Sequence, residues 1–264
     1  MQPEKSEIAT AKPPNYRLGS VPYLNARPLV CAAVPPCAYA VPSTLADQFA
    51  TGAYDAALLP AFEAVRREHA LLADGICIGS NGPVFSVFLA YREPLDSLET
   101  VALDPASRTS SHLLQIVFND FHGLDPEFTE APTTPDEARL LIGDPAIAFR
   151  NQHHSDGWQF LDLGEEWKAH TGLPFVFAVW MINPRVAAPC ALAKHLRDIK
   201  AAGLESREAI AAQEVDPSFA RRYLTENIAF DLDESGKASL RLYASLLRKA
   251  GLVSASPESS LEFV

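Results

Sequence analysis

Apolar residues gather in short continuous runs, separated by stretches of helical period, and two of the runs match each other. Phe175-Val176-Phe177-Ala178-Val179-Trp180 is unbroken apolar sequence rich in aromatic and β-branched residues. Such a run reads as a strand buried on both faces. A short polar helix, 165–170, precedes it and ends at Gly172, since glycine takes the left-handed conformation favoured at a helix C-terminus. Pro174 prevents the helix from restarting, and Asn183-Pro184 stops the run. Residues 82–91, GPVFSVFLAY, repeat the pattern: an opening Gly and Pro, two Phe, a terminal aromatic, then Pro94. Two α/β lobes crossed by two hinge strands need this layout. Two unrelated core strands of one sheet are the alternative.

In chain order, 1–16 reads as a disordered tail and 17–21 as a strand. A helix is predicted to begin near Pro28, a residue suited to a first helical turn, with Leu29, Val30, Ala33 and Val34 inward. A strand at 38–41, a Ser43-capped helix to Phe49, a strand at 55–59 and a helix at 61–68 follow, and 71–78 leads into the first matched run. This alternation argues for a mainly parallel sheet covered by helices. The middle piece repeats it. A strand at 100–103 precedes a helix capped by Thr109 or Ser110, with a stripe of Leu113, Leu114, Val117, Phe118 and Phe121 ended by Gly123. Short strands are predicted at 126–129 and 140–142, then a single helical turn at 147–149 and a polar loop, NQHHSDGW. Beyond Pro184 come helices at 192–201, 206–215 and 217–224, and a last one carrying Leu240, Tyr243, Leu246 and Leu247. The segment from Ser254 reads as loose. The predicted division is 17–92 plus 182–264 for one lobe and 93–181 for the other.

The formal net charge of −11 over 264 residues excludes a nucleic-acid surface, and an anionic ligand would need a locally prepared site. The N-terminal stretch MQPEKSEIATAKPPNYR has no apolar core, so neither signal peptide nor anchor is expected, and no apolar run is long enough to span a membrane. A cytoplasmic protein is the expectation, which weighs against a periplasmic receptor. Cys31, Cys37, Cys77 and Cys190 match no zinc or CxxC spacing and read as buried, reduced thiols. The sequence leaves the oligomeric state open.

In an open α/β sheet, ligands sit at carboxyl ends of strands and at helix N-termini. Four polar clusters fall at such places: Ser20 to Asn25, Asn81 to Ser86, Ser107 to Ser111, and Gly143-Asp144. Each has a structural reading: Asn25 as a turn residue, Ser110 as an N-cap, Asp144 as a helix cap. Ser86 is harder to explain that way, because a strand interior offers its hydroxyl no evident partner. Hydroxyls joined to free helix amides bind a carboxylate or phosphate without full positive charges. Neither GxGxxG nor GxxxxGKS occurs, and no GxSxG nucleophile stands out. Adjacent His153 and His154 point apart in a regular element, so no metal site is expected.

The blocks SVPYLNARPL (Ser20 to Leu29), DGICIGSNGPVFSVFL (Asp74 to Leu89), SRTSSHLL (Ser107 to Leu114), LLIGDPAI (Leu140 to Ile147) and DLGEEWKAHTGLPFVFAVW (Asp162 to Trp180) resemble those of the chorismate dehydratases of the futalosine route to menaquinone. They occur in family order over about residues 17–181, while the C-terminal helices are less diagnostic. The resemblance implies a two-lobed fold of the type II periplasmic-binding-protein kind, with mixed sheets flanked by helices and two hinge crossovers. It implies loss of water from chorismate, a dianion, to give 3-[(1-carboxyvinyl)oxy]benzoate, with no metal or organic cofactor. It also carries the site residues: Asn25 and Asp144 in catalytic roles, and Ser20, Tyr23, Ser86, Ser107, Thr109 and Ser110 for substrate binding. Arg108 is a candidate to neutralise the dianion; the alternative is that its place at a helix start turns it outward. The sister enzyme 1,4-dihydroxy-6-naphthoate synthase, against which the YLN block argues, and a non-catalytic carboxylate-binding protein are the rival readings.

Overall fold

A computed structural model describes residues 15–253 and 260–264, so the predicted N-terminal tail lies outside the described residues up to position 14, as does 254–259. The chain forms two mixed sheets flanked by helices. The first contains β1 (Leu18–Ser20), β2 (Ala38–Tyr39), β3 (Ala56–Pro60) and β4 (His69–Ser80). The second contains β5 (Val87–Tyr91), β6 (Thr100–Ala102), β7 (Glu127–Thr129), β8 (Arg139–Ile142) and β9 (Gln159–Asp162). The chain then returns to the first sheet through β10 (Phe175–Ile182) and ends on β11 (Ser260–Phe263). The orders are β11-β4-β10-β3-β1-β2 and β7-β6-β8-β5-β9.

Both sheets are mainly parallel, as the alternation predicts, and each carries one reversed strand. β10 runs antiparallel to both β3 and β4, and β5 antiparallel to both β8 and β9. Each matched apolar run supplies this reversed central strand, which explains burial on both faces. The division of the chain moves accordingly. β5 belongs to the second sheet and β10 to the first, so the exchanges fall at 81–86 and 172–174 rather than at 92 and 181. A doubly buried run states that a strand is central but not which sheet it joins. The turn that redirects it is the informative part: Gly82 at φ 121° and Phe85 at φ 68° lie inside the first crossing, and Gly172 at φ 73° opens the second.

Three further expectations change. The first helical turn spans Leu24–Leu29, with Pro28 inside it, and Val34 is exposed. The Asp144 carboxylate receives the Leu24 N–H and so sets an earlier start than Pro28 suggested. Residues 143–153 form a full helix, Gly143–His153, rather than one turn. Pro145 is tolerated because the amides of a first turn need no intrahelical acceptor. Residues 260–263 are not loose but pair in parallel with β4, and the Val264 carbonyl accepts from Asp74 N–H and from Arg197. Of the cysteines, Cys37 and Cys77 are buried and Cys31 and Cys190 exposed. Trp167, Trp180, Tyr223 and Tyr243 are fully buried, the last two on the C-terminal helical segments that pack across the junction.

Candidate functional site

Residues of both sheets line a cleft of about 70 Å³. The turn after β1 brings Tyr23 and Asn25, the start of helix Arg108–Ile116 brings Ser107, Thr109 and Ser110, and Gly143 closes the end of β8. Leu58, Ile78, Val87 and Phe177 give apolar walls.

Contacts between segments distant in the chain hold the polar groups. Asp144 accepts from Leu24 N–H with Oδ1 at 3.0 Å and Oδ2 at 3.3 Å, fastening the Tyr23–Asn25 turn to the other sheet. Burial raises the Asp144 carboxyl above its ordinary range, against the backbone donor that favours its charge. Gly143 has φ 64°, and a Cβ there would stand 3.1 Å from the Tyr23 ring, so the ring packs flat on bare backbone. Burial likewise raises the Tyr23 phenol, helped by Asp104 and Asp144.

Ser107, rather than Thr109 or Ser110, caps the second-lobe helix, its Oγ accepting from Ser110 N–H at 3.2 Å. Thr109 Oγ1 accepts from Phe62 N–H at 3.0 Å, so it caps helix Ala61–Val65 from across the cleft. A hydroxyl that accepts from an amide keeps its own proton to give. Ser107 and Thr109 therefore face the cleft as donors, beside Ser110 and the positive end of a helix dipole. Among the described residues no charged side chain lines the cleft. Arg108 is turned away from it, pairing with Glu63 at 2.7 Å and Asp47 at 2.9 Å.

Five predicted site residues line the cleft: Tyr23, Asn25, Ser107, Thr109 and Ser110. Three do not. Ser20 is buried and directed at the Val21 carbonyl at 3.5 Å. Asp144 is spent on the Leu24 amide, so it positions the turn rather than reaching the cleft. Ser86 lies one residue behind the wall formed by Val87, and its hydroxyl does have a partner: the Tyr223 hydroxyl donates to it at 2.7 Å. Sequence reasoning missed Tyr223, which sits on a helix with an ordinary amphipathic pattern. It also missed Asp162, whose carboxylate accepts from Val84, Phe85, Gly164 and Glu165 N–H and so shapes the first crossing. Asn25 Oδ1 is buried with no hydrogen-bond partner among the described residues.

Two α/β lobes joined by two crossings, with a cleft at their junction, define the architecture of periplasmic binding proteins. A Candida albicans protein described as having the generic periplasmic binding protein fold superposes with a TM-score of 0.61, at 11% identity over 93% of each chain. A structure from Archaeoglobus fulgidus superposes at 0.71, with 17% identity over 90% of this chain and 98% of that one. The chain belongs to the menaquinone biosynthesis family, which it matches over residues 16–249. Chorismate dehydratase of Thermus thermophilus is 28% identical over 79% of this chain and 85% of its own. Among the described residues no helix is long and apolar enough to cross a membrane.

Proposed function

We propose that this protein is a chorismate dehydratase, removing water from chorismate to give 3-[(1-carboxyvinyl)oxy]benzoate. The observation that carries the reading, within this family, is a cleft lined by hydroxyl donors at a helix N-terminus and by no charged side chain. Such a lining receives a dianion through oriented dipoles, without a cation that would tighten substrate and product alike.

In the reaction the C3–H and C4–O bonds break, the C3–C4 double bond completes the aromatic ring, and the proton and hydroxide leave as water. The change is redox-neutral, and aromatisation drives it. The protein's task is then to hold the ring so that proton and leaving group are in reach. Thr109 and Ser110 receive a carboxylate, and Asn25 faces the C4 hydroxyl. The lining contains no carboxylate or imidazole, so the base is the substrate's own side-chain carboxylate, folded back toward C3. The setting we propose is the cytoplasm.

The test is incubation of purified protein with chorismate, followed by ultraviolet spectroscopy and mass identification of the product. Formation of the carboxyvinyloxybenzoate is expected. Chorismate bound but recovered unchanged would make this a binding protein instead.

A further inference from the structure

Thr109, which lines the cleft, is held from two sides. Its Oγ1 accepts from Phe62 N–H at 3.0 Å, and its carbonyl accepts from the Tyr243 hydroxyl at 3.0 Å, 134 positions away. Tyr243 lies on helix Glu234–Lys249 and is fully buried. Its ring meets Phe175 edge-on at 5.3 Å and Trp167 at 6.2 Å, contacts that a phenylalanine would make equally well. The hydroxyl adds nothing to that packing, and burying it carries a desolvation cost that the Thr109 carbonyl offsets. The carbonyl does not need the phenol in return. Thr109 is the second residue of helix Arg108–Ile116, so the helix itself brings the Leu113 amide to the same oxygen, and the phenol takes its second lone pair. Burial pushes the phenol's ionisation upward, so it keeps the proton it donates.

We infer that Tyr243 is a positioning residue for Thr109, pinning its backbone so that the Thr109 hydroxyl stays where a substrate carboxylate is received. The inference rests on the proposed dehydratase activity and brings the C-terminal helix, the least diagnostic part of the sequence, into the service of the site. Two quantities place a threonine hydroxyl: where its backbone lies and which staggered rotamer it adopts. The Phe62 amide selects the rotamer, and Tyr243 fixes the backbone. The Phe62 donor is itself docked on the same helix. Its ring stacks on His112 at 3.9 Å and 8°, and His112 Nδ1 meets the Arg108 carbonyl at 2.6 Å. Tyr243 acts at a distance and does not touch substrate.

Tyr243→Phe removes one oxygen and keeps the ring. Because the Thr109 carbonyl retains its helical amide, the thermal midpoint should stay within about 4 °C of the parent. KM for chorismate should rise about three- to tenfold with kcat within about twofold, since a carboxylate contact is present in ground and transition states alike. Thr109→Val removes the hydroxyl itself and should raise KM at least as far. Adding Tyr243→Phe to it should raise KM no further, since both act through one hydroxyl. A Tyr243→Phe enzyme with the parental KM, or increases that multiply in the double variant, would overturn the inference. A second readout is independent of turnover. Hydrogen exchange at the Phe62 amide, which donates to Thr109 Oγ1, should quicken about tenfold in Tyr243→Phe, toward the rate in Thr109→Val, while the amides of β3 keep their parental rates. Unchanged exchange at Phe62 refutes the arrangement. A rise shared equally by β3 refutes it too, since the bond then serves stability alone. If the parent protein leaves chorismate unchanged, the dehydratase reading fails alone, and exchange at Phe62 still decides whether Tyr243 places Thr109.

Discussion

Glu63 gathers an unusual concentration of charge for a side chain with no exposed surface. Arg66 and Arg67 reach its Oε2 at 2.7 Å each from the same lobe, and Arg108 reaches Oε1 at 2.7 Å from the other. Burial pushes the carboxyl up, but hydrogen bonds from Arg66 and Arg108 and the charges of Arg66 and Arg67 outweigh it, leaving the net shift downward. Glu63→Gln keeps the shape and removes the charge, and it points an NH₂ at one of the arginines. Breaking one side of a fully buried ion pair costs about 3–5 kcal/mol. Here the arginines keep 21–40% of their side-chain surface in water, so they can partly resolvate. That discount brings the expected loss to ~2 kcal/mol. For a chain of this size it corresponds to about 4–8 °C in the thermal midpoint.

The pH dependence has a definite sign. A carboxyl with a depressed folded pKa contributes stability that is full above its unfolded value, about 4.3, and is lost as pH falls through the folded value. The gap between the parent and Glu63→Gln should therefore be the same at pH 7 and pH 6 and should narrow in acid below that value. Differential scanning calorimetry at these pH values is the assay. Asp47→Asn is the control: Asp47 meets the same Arg108, but its side chain is 69% exposed, so a change below about 1 kcal/mol is expected. A gap that widens in acid, or an Asp47 variant as damaged as the Glu63 one, would refute the reasoning.

Asn25→Asp keeps the size of the side chain but sets a negative charge in the cleft, beside a dianion; the variant should remain folded by circular dichroism and turn over almost no chorismate. Gly143→Ala forces a side chain into φ 64° and against the Tyr23 ring, a cost of about 1–2 kcal/mol, and it should raise KM by displacing Tyr23; an unchanged KM would separate Tyr23 from substrate. A thiol reagent should modify Cys31 and Cys190 in the native protein, and Cys37 and Cys77 only on unfolding, since burial holds these two thiols at about 11 and about 12; four fast-reacting thiols would contradict the fold.

Most strands were readable because each is a short apolar run bounded by Gly or Pro, and such runs state their own burial. What they could not state was their neighbour. Val87–Tyr91 and Phe175–Ile182 look alike in sequence, yet they centre different sheets, because sheet membership is decided by the crossings before them. Site residues divide along the same line. Ser107, Thr109 and Ser110 were readable as a helix start, a local feature. The task of Ser86 was not, because its partner lies 137 positions on, and that of Asp144 was not, because the amide it holds lies 120 positions back.

The blocks that carried the resemblance prove to be places where the lobes meet, and this changes what their residues mean. Asp144 holds the Leu24 amide, Gly143 makes room for Tyr23, and Thr109 caps the helix that begins beside Pro60. In the last block, a Cβ on Gly164 would collide with Ser80 Oγ and the Gly82 carbonyl in the first crossing. All but the Thr109 contact join one block to another. A cleft without fixed charges cannot rely on a strong cation to pull its ligand into place, and its dipoles act only when aimed. Aim in this protein is a property of the junction. A substitution at Asp144 or Gly164 should therefore damage catalysis as much as one at Ser110, though neither residue lines the cleft.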